Sequence, residues 1–286
     1  MERQDYYGLS IADFIAYALK EDVGNGDQTS LACIDPLLKG KAIVRVKENA
    51  VIAGLVLADQ IFNYVDTTMF VKVLVNEGSM VKQGDAVLEA EGTIQSILKA
   101  ERLVLNCMQR MSGIATYTRR MVDKIAGTKV KILDTRKTTP NFRLFEKWSV
   151  LLGGGHNHRF GLYDMILIKD NHIKACGGIT NAIQKGTAYL KKINIPLKIE
   201  IETRNLEEVQ EVLSCGGIHR IMLDNFSPEK LRVAVTLINN QVETEASGGI
   251  TLENAADYAA SGVDYISVGA LTHSIKSIDI NMKIIS

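Results

Sequence analysis

Four cations and a histidine crowd the middle of the chain: Arg136 and Lys137, then His158 and Arg159, then Lys169. Two of these clusters directly follow short apolar β-branched runs, Val130 to Leu133 and Met165 to Ile168, which read as buried strands of an α/β domain. Arg and Lys are rarely buried unless paired or ligand-facing, so a strand that ends in Arg136 and Lys137 presents them to something. One such tip could be a solvated turn; here the pattern repeats. Planar Arg forks match carboxylates, so a small di-anionic acid is the natural guest.

Four more tips follow further strands: Glu200-Ile201-Glu202-Thr203, Asp224-Asn225, Ser247-Gly248-Gly249 and Ser267-Val268-Gly269-Ala270. With Asp134-Thr135-Arg136-Lys137 and Lys169-Asp170-Asn171-His172 they make about six βα units with polar strand ends. That is the pattern of an α/β barrel, whose site is assembled from the C-terminal ends of its strands. A doubly wound sheet would gather such residues at one switch point. Ser247-Gly248-Gly249 leads into a helix expected near Thr251 and Leu252, and Gly269-Ala270 follows the next strand, so backbone N–H groups at both could hold a phosphate. Glu200 and Asp224 suit ribose hydroxyls or a Mg²⁺ carried in by a phosphorylated substrate; alternatively they pair with Lys169 or Arg136 before substrate arrives.

The elements that must position these residues begin at Ser10, which can cap an amphipathic helix with Asp13 at its third position. Glu21 to Asp27 is Gly-rich and acidic but lacks the closing bidentate Glu of an EF-hand, and reads as a turn leading to strands. Strands are expected at Lys41–Lys47, Val51–Ala53, Met69–Val75 and Ala86–Ala90, with a helix from Leu55 to Tyr64, giving an α+β domain. Asn76 to Asp85 resembles the hammerhead turn of biotinyl and lipoyl carriers without their Met-Lys-Met tip, so the likeness is architectural. Thr93 to about Ile125 is helical, with a break expected at Ser112-Gly113. This helix carries Arg102 beside Glu101, a surface ion pair unless a ligand claims it.

The 286 residues are enough for one large domain or two moderate ones, and 46% hydrophobic content can bury a sizeable core. A formal net charge of zero argues against a nucleic-acid or membrane-seeking surface, so any anion site is local. Cys33, Cys107, Cys176 and Cys215 lack metal-ligand spacing and are expected to be reduced. No apolar run approaches membrane-spanning length and Met1 to Asp5 is not a signal-peptide start, so a cytoplasmic protein is expected.

Taken in order, the motifs Glu21–Asp27, Asp134–Thr138, Gly153–Arg159, Lys169–His172, Leu223–Asn225, Ser247–Ile250 and Val268–His273 resemble those of the quinolinate phosphoribosyltransferases. The resemblance covers nearly the whole chain. It implies an N-terminal α+β open sandwich domain over residues 1–112, joined by the tail 275–286, followed by an incomplete α/β barrel of about six parallel strands over 113–274. The implied reaction transfers phosphoribose from phosphoribosyl pyrophosphate to quinolinate with decarboxylation and Mg²⁺, giving nicotinate mononucleotide for NAD biosynthesis. By the same resemblance Arg102, Thr135, Arg136, Lys137, His158, Arg159 and Lys169 hold the acid and the pyrophosphate region, and Glu200 and Asp224 the ribose and metal. Ser247, Gly248, Gly249, Ser267, Gly269 and Ala270 hold the 5′-phosphate, and Lys137, Lys169, Glu200 and Asp224 are the expected catalytic set. A homodimer with shared sites is implied, Arg102 serving the partner. Asn141 stands where Gly is expected, away from any proposed contact. Two rivals are a Schiff-base lyase using Lys169 and a carrier module; a paralogue from molybdate-transport systems, acting on another aromatic acid, shares the architecture.

Overall fold

Ser10 starts the first helix, Ile11–Val23, through a reciprocal capping box: its hydroxyl accepts the Asp13 N–H at 3.0 Å while the Asp13 carboxylate accepts the Ser10 N–H. The computed structural model describes residues 8–285, so the Met1 to Asp5 start lies outside the described residues. The acidic turn does not lead straight to strands. Asp27 caps a six-residue helix, Gln28–Cys33, accepting the Ser30 N–H at 3.1 Å.

Two units divide the chain: one comprises residues up to Tyr117, Thr138–Gly153 and the tail from Ser274, the other Thr118–Lys137 and Gly154–His273. In the first, strands β1 (Lys39–Val46), β2 (Ala50–Val51), β3 (Phe70–Val73), β4 (Met80–Val81) and β5 (Ala86–Thr93) are antiparallel. The C-terminal strand Ile280–Ile285 pairs with β1, giving the order C-terminal strand, β1, β5, β3. Ile52 and Ala53 fall outside the strand expected there: Ile52 exchanges backbone bonds with Gly78 and Ser79 at 2.9 Å, while Ser112 Oγ of the helix behind accepts the Ala53 N–H at 2.9 Å. That helix, Ile94–Lys124, runs unbroken through Ser112-Gly113. Gly113 is needed for closeness rather than for a break, since a Cβ there would stand 2.5 Å from the Lys276 carbonyl oxygen.

Thr138–Gly153, expected within the barrel range, groups with the first unit for two physical reasons. The rings of Phe142 and Phe145 pack tilted against Phe14, with centroids 5.4 and 4.8 Å away, and Glu146, fully buried on the helix Arg143–Leu152, accepts from Arg110 Nη2 and Thr139 Oγ1, both at 2.9 Å.

In the second unit the strands are β6 (Lys131–Leu133), β7 (Ile166–Ile168), β8 (Ile199–Thr203), β9 (Arg220–Asp224), β10 (Glu243–Ser247) and β11 (Tyr265–Ser267), all parallel; the C-terminal strand is β12. Their order is β6-β11-β10-β9-β8-β7. From β7 to β11 each strand lies beside its predecessor, and β11 returns to β6, so the winding never reverses: an incomplete six-stranded barrel. Among the described residues no helix is long and apolar enough to cross a membrane.

Candidate active site

The C-terminal ends of β6 to β11 carry the polar residues. After β6, Asp134 is fully buried and its Oδ1 accepts the His158 N–H at 2.9 Å, which ties the segment after Gly155 to the barrel rim. Thr135 Oγ1 accepts the Lys137 N–H at 3.0 Å, and the Lys137 carbonyl accepts from Thr272 Oγ1 at 2.7 Å, so the strand-end turn is held on both sides. The half-buried Arg136 has its Nε buried without a hydrogen-bond partner. Arg159 is half-buried, donating from Nη1 to the Met165 carbonyl at 3.1 Å. Burial and the neighbouring Arg136 charge lower its pKa.

Lys169 caps the helix Asp170–Cys176 after β7; its N–H donates to His172 Nδ1 at 2.9 Å, and its exposed Nζ lies 3.5 Å from Glu202 Oε2. A lysine with a carboxylate partner and a side chain 49% exposed lacks the dry pocket that a Schiff-base lysine uses. Asp224 ends β9 and accepts from Asn225 Nδ2 at 2.8 Å. Asn225 adopts a left-handed φ of 57°, and its N–H donates to the Ser247 carbonyl at 2.8 Å, so the tips of β9 and β10 are tied. Gly248 is required here: its φ is 97°, and a Cβ would stand 2.2 Å from Asn225 Oδ1. Gly269 lets the Lys137 stem lie across it, a Cβ there falling 2.9 Å from Lys137 Cδ.

Several residues stand elsewhere than expected. Glu200 is not at a tip: it is the second residue of β8, fully buried, with His158 Nε2 3.1 Å and Arg220 Nη1 3.8 Å from its Oε2. Glu202, two residues on and on the same side of the strand by alternation, is the carboxylate at the rim. His158 faces Glu200 and, at 3.4 Å, Glu245 of β10, rather than opening as an anion ligand. Its Nδ1 accepts the Arg159 N–H at 2.7 Å, so the ring proton sits on Nε2, on the side of the two carboxylates. Ser267 is buried rather than open at the rim. The helix after Ser247-Gly248-Gly249 begins only at Ala255, so Gly248 and Gly249 form an open turn rather than a helix start. Arg102 lies in the first unit, exposed at an open cavity of about 340 Å³ whose lining includes Tyr17, Glu21, Asp22 and Asn106. Asn141, whose φ of 61° suits Gly or Asn, lines that same cavity, so it is not remote from the expected contacts.

The sequence reading missed Glu202, Arg220 and Glu245. The signal was present: Glu200-Ile201-Glu202 and Glu243-Thr244-Glu245 alternate within strands, which turns both acids of each pair to one face.

A parallel barrel whose strand ends gather excess cations, rim carboxylates and glycine turns defines an enzyme that handles anionic substrates. The model of the quinolinate phosphoribosyl transferase C-terminal domain matches residues 114–283, and that of the N-terminal domain residues 27–112. The chain is similar to the chloroplastic carboxylating nicotinate-nucleotide pyrophosphorylase of Arabidopsis thaliana, with 47% identity over 94% of this chain and 81% of that one. A probable carboxylating nicotinate-nucleotide pyrophosphorylase of Bacillus subtilis is 41% identical over 96% of this chain and 94% of its own. The crystal structure of NadC from Streptococcus pyogenes superposes with a TM-score of 0.92 at 38% identity, covering 99% of this chain and all of that one. The chain belongs to the quinolinate phosphoribosyltransferase family.

Proposed function

We propose that the chain transfers phosphoribose from phosphoribosyl pyrophosphate to the ring nitrogen of quinolinate and releases carbon dioxide, yielding nicotinate mononucleotide for NAD biosynthesis. The observation that carries this reading is the pairing, on one rim, of half-buried Arg136 and Arg159 with the carboxylates Glu202 and Asp224. Arg136, Arg159, Lys137 and Lys169 bind the two carboxylates of the acid and the departing pyrophosphate. Glu202 and Asp224 face the ribose, where positive charge builds as the C1′–O bond breaks. The N–H groups of Ser247 to Gly249 and of Gly269-Ala270 receive the 5′-phosphate. Once ribosylated, the cationic ring nitrogen stabilises the electron pair left by carbon dioxide, so no nucleophilic side chain is needed.

The hard oxygen donors Glu202 and Asp224, on the neighbouring strands β8 and β9, fit Mg²⁺, and Lys169 pairs with Glu202 beside them. When bound, the metal would neutralise pyrophosphate charge as it leaves. The reading includes a homodimer in which the exposed Arg102 serves the partner's acid site. It also includes a cytoplasmic setting, supported by four free thiols, Cys33, Cys107, Cys176 and Cys215. The purified protein supplied with quinolinate, phosphoribosyl pyrophosphate and Mg²⁺ should produce nicotinate mononucleotide and carbon dioxide, with no product when any one is omitted. Product from another aromatic acid but not from quinolinate would overturn the assignment. Mixing inactive Arg102→Ala and Lys169→Ala chains under subunit exchange should restore part of the activity; none returning would place Arg102 within its own chain.

A further inference from the structure

Beneath the rim the barrel interior holds a charged layer that the proposed reaction does not touch. Glu200 on β8, Arg220 on β9 and Glu245 on β10 come from three neighbouring strands, and both carboxylates are fully buried. Arg220 Nη1 lies 2.9 Å from Glu245 Oε2, its Nη2 lies 3.1 Å from Glu243, and its guanidinium covers the Tyr265 ring at 3.9 Å. The same Glu245 Oε2 stands 3.4 Å from His158 Nε2. Burying such ions costs several kcal/mol each, roughly, where apolar side chains would fill the barrel at less cost. The layer therefore has a use other than stability.

His158 is the link between this layer and the rim. Its backbone N–H is held by Asp134, its Nε2 by the two glutamates, and its Nδ1 accepts the Arg159 N–H at 2.7 Å. The imidazole is thus a strut between the barrel interior and the backbone of Arg159. Because the buried acids are turned toward Arg220 and the Nε2 side of His158, they leave the guanidiniums of Arg136 and Arg159 to the substrate.

We propose that Glu245, acting through His158, is a positioning residue that sets Arg159 for the acid substrate. The inference rests on the quinolinate reading given above. Removing its oxygen should loosen the Arg159 turn and weaken the acid site while leaving the rim carboxylates and the glycine turns that receive phosphoribose undisturbed. Glutamine should substitute, since its amide oxygen can accept from Arg220 and face His158 Nε2 as Oε2 does.

The test compares the wild-type protein with Glu245→Leu, Glu245→Ala and Glu245→Gln, measuring KM for each substrate, kcat, and quinolinate binding by calorimetry. The alanine variant, with room for water beside Arg220, keeps the test intact should the leucine variant misfold. Expected is a rise of about tenfold in quinolinate KM and Kd for Leu or Ala, with phosphoribosyl pyrophosphate KM within about twofold of wild type and Gln recovering most of the loss. Equal rises in both KM values, Gln as impaired as Leu, or unchanged quinolinate binding in Leu and Ala would each overturn the role. A wild-type protein that does not bind quinolinate would instead sink the functional reading, and this proposal with it.

Discussion

The two units bury opposite materials. The first packs a continuous apolar cluster, in which Val44 and Leu88 of the sheet meet Ile61, Ile97 and Met108 of the helices. The second sets its apolar residues Ile199, Ile201, Ile221 and Leu223 on strands whose alternate positions hold Glu200, Arg220 and Glu245. Burying a Leu or Ile side chain contributes about 1.5–3 kcal/mol, whereas a buried ion pair adds little net stability. The contrast separates a unit built to be stable from one that spends part of its interior on placing charge.

Rim substitutions should break the comparison most visibly if it is wrong. Lys169→Ala and Arg136→Ala are expected to reduce kcat/KM by about 10²–10³-fold or more, with unfolding free energy changed by only about 0.5 kcal/mol, since both side chains lie at strand ends. A large fall in Tm for either would move that residue from site to scaffold. The converse comes from the apolar cluster: Leu88→Ala should lose about 2–5 kcal/mol in denaturant unfolding while the folded fraction keeps its wild-type kcat/KM. A specific loss of activity per folded molecule there would erase the division.

How much of this was legible in the chain follows from which forces act locally. The Ser10 cap rests on an interaction between near neighbours, and the helix from Leu55 on apolar residues recurring at helical spacing, so both could be read directly. The six parallel strands could be read from alternating apolar runs and polar tips. What could not be read depended on distant partners: Ser112-Gly113 looks like a helix break until Ala53 and Lys276 are seen pressing on it. Likewise, choosing Glu200 over Glu202 as the rim carboxylate needed the depth of each along β8, which His158 and Arg220 reveal only in three dimensions. For the same reason Ser267 passed for a rim residue although it is buried.

A smaller effect sharpens the contrast from the thiol side. Cys107 lies in the apolar cluster, where burial pushes its pKa up to about 12, so it should resist alkylation at pH 8 while exposed Cys33 reacts. Comparable rates, followed by peptide mass analysis, would mean that the cluster opens readily. At acid pH the effect is smaller still. Burial alone would raise the pKa of Asp264, but its bonds to Lys129 and Thr244 outweigh that and hold it below 3.8, so it adds stability above 3.8 that is lost as pH falls through the folded value. Asp264→Asn should flatten that part of the Tm profile, and an unchanged profile would show that the carboxylate adds nothing.

The central claim is that the rim cations Arg136 and Arg159 are left unneutralised for a two-carboxylate acid. It is tested most directly by kcat/KM for quinolinate against nicotinate, which lacks one carboxylate. A rim built for the di-anion leaves half-buried cations unpaired when nicotinate binds, so quinolinate should be preferred by about 10⁴-fold or more. Comparable values for the two acids would contradict the account.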